Sequence, residues 1–156
     1  MKNTSSVIEP VGRKSRLKLN MLKIDSEEVI RGIIIRTNGK VEDFFYTGYE
    51  SLRDGVGGLI ETIITGWGDT RWDLWGNEEA RLLGLPINIV GMKFVANASD
   101  RDIRQIVSLH GDMIILGVDD EGDSIGCPEA TARLAKSFAM FDEPTIRFTA
   151  LDEDEN

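Results

Sequence analysis

Two apolar runs flank the dipeptide Asn38-Gly39. Ile30, Ile33, Ile34 and Ile35 precede it, and Val41, Phe44, Phe45 and Tyr46 follow. β-Branched and aromatic residues around Asn-Gly, the strongest short turn signal, predict a β-hairpin over residues 29–46. Residues 49–56 read as a short helix closed by Gly57-Gly58, because a residue without Cβ takes the left-handed conformation that ends a helix. Residues 59–65 read as a strand, 66–69 as a turn and 71–75 as the partner strand. Strict alternation in that partner puts Trp72 and Leu74 on one face and Asp73 and Trp75 on the other.

Further along, Asn77 reads as the N-cap of a short helix with Glu78 and Glu79 in its first turn, ended by Gly84 and blocked by Pro86. Residues 87–95 are a strand candidate with Gly91 inside it. Ser99 followed by Asp102 imitates a capping box. With Ile103, Ile106 and Val107 at helical spacing, it predicts a helix ending near His110-Gly111. The unbroken apolar run over residues 113–118 predicts a buried strand, and residues 119–123 its acidic turn. Pro128 opens a last helix whose apolar side is Ala132, Leu134, Ala135 and Phe138. With no internal repeat, the pattern predicts a single α+β domain, a mostly antiparallel sheet with three or four short helices packed against it.

At 156 residues, 41% hydrophobic and 29% charged, the chain is long enough for one core without disulfides. Its single cysteine, Cys127, excludes an intrachain disulfide framework and any multi-cysteine zinc site, as suits a cytoplasmic protein. The first twenty residues lack the apolar core of a signal peptide. No apolar run approaches the roughly 20 residues that span a bilayer, so no membrane association is expected.

Charge is unevenly placed. Residues 1–24 hold six basic residues and one acid, whereas residues 25–156 hold 12 basic and 26 acidic, a body of about −14. Such a body repels phosphates and argues against general nucleic-acid binding. The expected organisation is a basic, partly flexible arm over residues 1–24, the α+β domain over 25–150 and an acidic, solvated tail over 151–156.

Little of the available chemistry is catalytic. His110 is the only histidine, so a histidine pair for a metal or a base-assisted nucleophile has little to draw on. Cys127 stands before a helix start, a position that lowers a thiol pKa but also suits a buried structural thiol. Residues 119–123 resemble the start of a calcium loop, yet the twelfth position from Asp119, which needs a bidentate Glu, is Ala130. The phosphate-loop, dinucleotide-binding, nucleophile-elbow and zinc-protease motifs are absent from the sequence. No cofactor and no metal are expected.

The densest group of ligand-orienting residues surrounds the three tryptophans, Trp67, Trp72 and Trp75. A tryptophan combines a large apolar surface with one N–H donor, so such a cluster is either local core or recognition surface. In the binding reading, Trp72 or Trp75 stacks on a planar ring, Arg71 forks onto a phosphate or carboxylate, and Asn77, Glu78 and Asn88 orient the ligand. In the structural reading the tryptophans are core and the asparagines are caps.

The same stretch carries a resemblance. Gly57-Gly58-Leu59-Ile60-Glu61, Asn77-Glu78-Glu79, Gly84-Leu85-Pro86-Ile87-Asn88, and Gly111-Asp112-Met113 before a strand reaching Gly117 resemble an uncharacterised small domain family common in bacteriophages and mobile plasmids. The match spans roughly residues 49–138. The chain departs from the family in having Ala80-Arg81 where Gly-Lys is usual, and the basic arm is extra. The resemblance implies a phage accessory protein acting in the host cytoplasm, without an assigned activity, and the first expectation is a binding protein acting on host defence. The sharpest expectation is a homo-oligomeric sponge that sequesters a nucleotide-type immune signal. The alternative is a protein–protein inhibitor that turns an acidic, aromatic surface on a host enzyme. A third, an enzyme built on paired carboxylates among Glu61, Asp73, Glu78 and Asp112, ranks last.

Overall fold

The computed structural model describes residues 29–140. The Asn38-Gly39 turn joins β1 (Ile30–Ile35) to β2 (Val41–Tyr46), with Gly39 at φ 94° and the Asn38 side chain accepting the Lys40 N–H at 3.0 Å. Helix α1 (Tyr49–Val56) ends at Gly57, whose left-handed backbone returns its N–H to the Arg53 carbonyl at 2.8 Å. Then follow β3 (Ile60–Trp67), β4 (Arg71–Asn77), α2 (Ile89–Ala98), a 3-10 turn (Ile103–Gln105), β5 (Met113–Val118), β6 (Ser124–Ile125) and α3 (Glu129–Ser137). The sheet order is β2-β1-β5-β4-β3, with β6 pairing the end of β5, and every pairing is antiparallel. This is the α+β domain that the apolar pattern predicts. Among the described residues no helix is long and apolar enough to cross a membrane.

Central strand β5 is buried at all six positions and feeds two cores. Met113 and Ile115 join Ile33, Ile35, Trp72 and Leu74 beneath α2 (Val90, Phe94, Val95) and α3 (Ala135). Ile114 and Leu116 join Ile34 beneath α1 (Leu52, Val56) on the opposite face. Each fully buried aliphatic side chain contributes roughly 1.5–3 kcal/mol relative to exposure, an upper bound set by an extended unfolded chain.

Three expected elements differ. Residues 87–95 are not a strand: α2 covers Ile89–Ala98. A short apolar run fits either element, and the deciding group is Asn88, whose Oδ1 accepts the Gly91 N–H at 2.8 Å as a helix N-cap. Gly91 then lets the helix lie close on β5, since a Cβ there would stand 2.8 Å from the Met113 sulfur. Ser99 does not open a helix but caps the C-terminus of α2, returning its N–H to Val95 at 2.9 Å, and Asp100 follows at φ 55°. The capping box belongs to Asp102 and Gln105 and starts only the 3-10 turn. Ile103 and Val107 stay exposed while Ile106 and Leu109 pack against the core, so the helical stripe of Ile103, Ile106 and Val107 is not buried as a unit. Residues 78–84 form a single α-turn (Leu83 N–H to Glu79 carbonyl, 2.9 Å), closed by Gly84 at φ 67°. The expected arm over residues 1–24 and tail over 151–156 lie outside the described residues.

Asn88 is 0% exposed, and its Nδ2 donates to the carbonyls of Ile35 (3.0 Å) and Gly111 (2.9 Å), tying α2 to β1 and to the approach to β5. Asn88→Ala strands two acceptors and one donor, so urea denaturation is expected to show a loss of about 3–5 kcal/mol. A loss under about 1 kcal/mol would contradict this role.

Candidate binding site

The β3–β4 hairpin distributes the tryptophans. Trp72 is 4% exposed and packs against Phe94 with ring centroids 5.2 Å apart. Gly66, directly across from Trp72, is a glycine because a Cβ there would overlap the indole. Arg71, Asp73 and Trp75 alternate onto the opposite face. Asp73 is buried, accepts the Thr65 hydroxyl at 2.7 Å and pairs with Arg71 Nη2 at 3.4 Å. Among the described residues Arg71 Nε and Trp75 Nε1 are buried without an acceptor.

Of the six residues expected to orient a ligand, the structure thus brings Arg71 and Trp75 to one face and sends Trp72 into the other core. Asn77 is structural: its Nδ2 donates to the Val56 carbonyl at 3.1 Å and its Oδ1 accepts the Glu79 N–H at 2.8 Å. Asn88 is likewise committed, to the end of β1 and the cap of α2. Glu78 is exposed at the Asn77 end of the hairpin, and its backbone N–H goes to Leu59 at 2.8 Å. The asparagines are therefore caps and ties, as the structural reading has it, and the binding reading keeps only Arg71 and Trp75, which share a face with Asp73 between them.

At the other end of that face lies a groove of about 400 Å³, lined by Trp67, Asp69, Thr70, Arg71, Val118, Asp119, Asp120 and Ile125. Its floor is one rung of the sheet: Trp67 pairs with Arg71, and Arg71 with Val118. The turn after β3 supplies Asp69, and the turn after β5 supplies Asp119 and Asp120. Trp67 is 76% exposed. Among the described residues one roof covers this face, α1, which is about 12 Å long by its helical rise. It is tied to the Asn77 end, whereas β3 runs about 26 Å. The groove is the part of this face that no described element covers. Its three carboxylates outnumber the single guanidinium, which already faces Asp73.

Sequence reasoning passed over Trp67, Asp69, Asp119 and Asp120 as site residues. Their available signal was an aromatic beside a Gly-Asp turn and a second acidic turn, which pairing brings to one end of the sheet only after folding.

Other candidate groups are structural. His110 is not at a helix end: it bridges Ile87, its Nδ1 lies 2.9 Å from the Leu85 carbonyl and its Nε2 3.1 Å from Ser108 Oγ. Burial pushes the Cys127 thiol up to about 12, with Lys136 opposing, so the expected lowering at a helix start is overridden by desolvation. Among the described residues, the carboxylates of Asp119, Glu121 and Asp123 come within 4.8 Å of one another. Asp119 Oδ1 accepts the Glu121 and Asp123 N–H groups at 2.9 Å each, the arrangement of an acidic turn. The carboxylates considered for catalysis are not gathered: Asp112 is held by Arg36 (3.1 Å) and the Thr37 N–H (2.9 Å), Asp73 lies level with Leu116, and Glu61 and Glu78 are exposed.

The fold and groove define a small α+β domain with a ligand-sized recess at one end of an antiparallel sheet. The chain belongs to a family described as a domain of unknown function (DUF3846), whose model matches residues 21–141. That family carries no enzymatic assignment. No curated protein and no solved structure matches the chain.

Trp72→Ala is expected to cost about 3–5 kcal/mol in urea denaturation as a core truncation. Trp67→Ala should stay within about 0.5 kcal/mol of wild type. Equal losses would contradict the division of the hairpin. The folded protein should also resist alkylation of Cys127 by iodoacetamide at pH 8 and react on unfolding, because the thiolate is scarce well below a pKa of about 12. Rapid native alkylation would show an accessible, ionised thiol.

Proposed function

We propose that this domain acts by binding, and that the Trp67 groove receives basic side chains of a protein partner. The observation that carries the reading is the convergence of Asp69, Asp119 and Asp120 around an exposed indole in a recess of about 400 Å³. A guanidinium or ammonium stacked on an indole face and met by carboxylates gains both cation–π and charge-assisted contacts. In the setting implied by the resemblance to phage accessory proteins, the partner is a host enzyme and the outcome is inhibition.

The nucleotide-sponge reading has its own support in the unpartnered Arg71 Nε and Trp75 Nε1, two donors on one face that call for acceptor oxygens. It carries the expectation of a homo-oligomer with a pocket at the subunit interface. Against it, the three groove carboxylates repel phosphate.

Isothermal titration of the full chain with hexa-arginine and with a mononucleotide separates the two. Hexa-arginine should bind more tightly, with affinity falling as salt rises. Asp119→Asn with Asp120→Asn should weaken it by roughly tenfold, about 1.4 kcal/mol, while the amide oxygen introduced at position 119 keeps an acceptor for the N–H groups of the turn. Nucleotide binding that Arg71→Gln abolishes, with hexa-arginine inert, would replace this reading with the sponge.

A further inference from the structure

Among the described residues three side-chain N–H donors are buried without an acceptor: Arg53 Nε, Arg71 Nε and Trp75 Nε1. All three belong to the side of the sheet that carries α1. Arg71 and Trp75 share that face of β4 with Asp73 between them, and Arg53 comes from α1 itself. No side-chain oxygen is orphaned in this way among the described residues. Buried polar groups are almost always paired, so three lone donors on one face call for a ligand that brings acceptor atoms.

The helix turns Arg53 toward Trp75. Gly55 marks the flank of α1 that lies toward β2, since a Cβ there would stand 3.1 Å from the Phe44 ring. At about 100° per residue, Arg53 lies about 160° around the helix from Gly55, on the flank toward β4 and β3. The levels also agree. Both α1 and β4 finish at the point where Asn77 Nδ2 donates to the Val56 carbonyl. Arg53 is three helical residues back from Val56, about 4.5 Å, and Trp75 is two strand residues back from Asn77, about 7 Å. Arg53 therefore overlooks Trp75 across the seam between helix and strand.

The chemistry of the donors selects the ligand. Two are guanidinium N–H groups, which favour oxyanions through charge-assisted hydrogen bonds. The nearby carboxylate does not fill the need: Asp73 is committed to the Thr65 hydroxyl at 2.7 Å and to Arg71 Nη2 at 3.4 Å, which leaves Arg71 Nε over. The acidic turns are remote, because Trp75 stands four residues along β4 from Arg71, about 13 Å, and the Debye length at physiological salt is about 8 Å. Arg53, Arg71 and Trp75 are each only half-buried, so rotation of their side chains admits a small group without backbone movement.

We propose that the seam between α1 and β4 binds an oxyanion, a phosphate or a carboxylate group, held by Arg53 and the Trp75 indole N–H, with Arg71 as the second guanidinium. The site is separate from the groove, and the two readings fail independently, since one is probed with a cation and the other with anions.

The test follows the Trp75 indole signal of the full chain by proton–nitrogen NMR during titration with inorganic phosphate, with acetate and, at matched ionic strength, with sodium chloride. Phosphate or acetate should move the signal downfield and to saturation, well beyond the effect of chloride, and the tighter binder of the two identifies the headgroup. Arg53→Gln should weaken that binding roughly tenfold with an unchanged melting temperature, and Arg53→Lys should retain more of it. Arg71→Gln provides a second variant should Arg53→Gln lower the melting temperature, and it too should weaken binding. A Trp75 signal that ignores both anions, or that follows chloride equally, overturns the proposal. Undiminished binding in folded Arg53→Gln and Arg71→Gln also overturns it, by placing the anion elsewhere.

Discussion

Burial of β5 on both faces is the constraint on which the rest of the structure depends. A strand that is apolar at every position has no side to show to water, so each face of the sheet needs a cover. The sequence after β4 supplies α2 and α3 for one face. Among the described residues only the eight of α1, between β2 and β3, roof the other. Among the described residues the unequal roofing leaves one end of the α1 face without a cover, and that end is where the two acidic turns meet.

The β3–β4 hairpin turns this asymmetry into a division of labour. Strand alternation sends Trp72 inward to Phe94 and leaves Arg71 and Trp75 on the face that carries the groove. Gly66 makes the arrangement possible by leaving room for the Trp72 ring on the neighbouring strand. A cluster of three tryptophans thus serves two purposes: one indole anchors a core, another stands free at the rim of a recess, and the third lies between them in character, with a buried N–H that lacks an acceptor.

Much of the fold was legible in local signals. The Asn38-Gly39 hairpin, α1 with its Gly57 stop, the β3–β4 pair, β5 and α3 all follow from periodicity and turn residues, because each is defined by neighbours in the chain. The failures share one cause. Residues 87–95 are apolar apart from Asn88 and Lys93, so periodicity was silent, and the cap and long-range ties of Asn88 to Ile35 and Gly111 determined the element. The same ties explain why asparagines that looked like ligand groups are not available to a ligand. Residues 99–110 had the spacing of a helix, yet Ile103 and Val107 stay exposed and only Ile106 and Leu109 reach the core, and the segment stops at one 3-10 turn. The groove was illegible for a different reason. Asp69 and Asp119 are 50 positions apart, and only the Trp67–Arg71–Val118 rung brings their turns together.

Proton–nitrogen NMR of the indole groups tests the central claim most directly, because the three tryptophans report separately on core, face and groove. On addition of hexa-arginine, the account predicts that the Trp67 indole signal moves furthest and that the Trp72 signal stays in place. A Trp72 shift with Trp67 unmoved would show that recognition lies elsewhere, and would contradict the assignment of the uncovered end of the sheet as the binding surface.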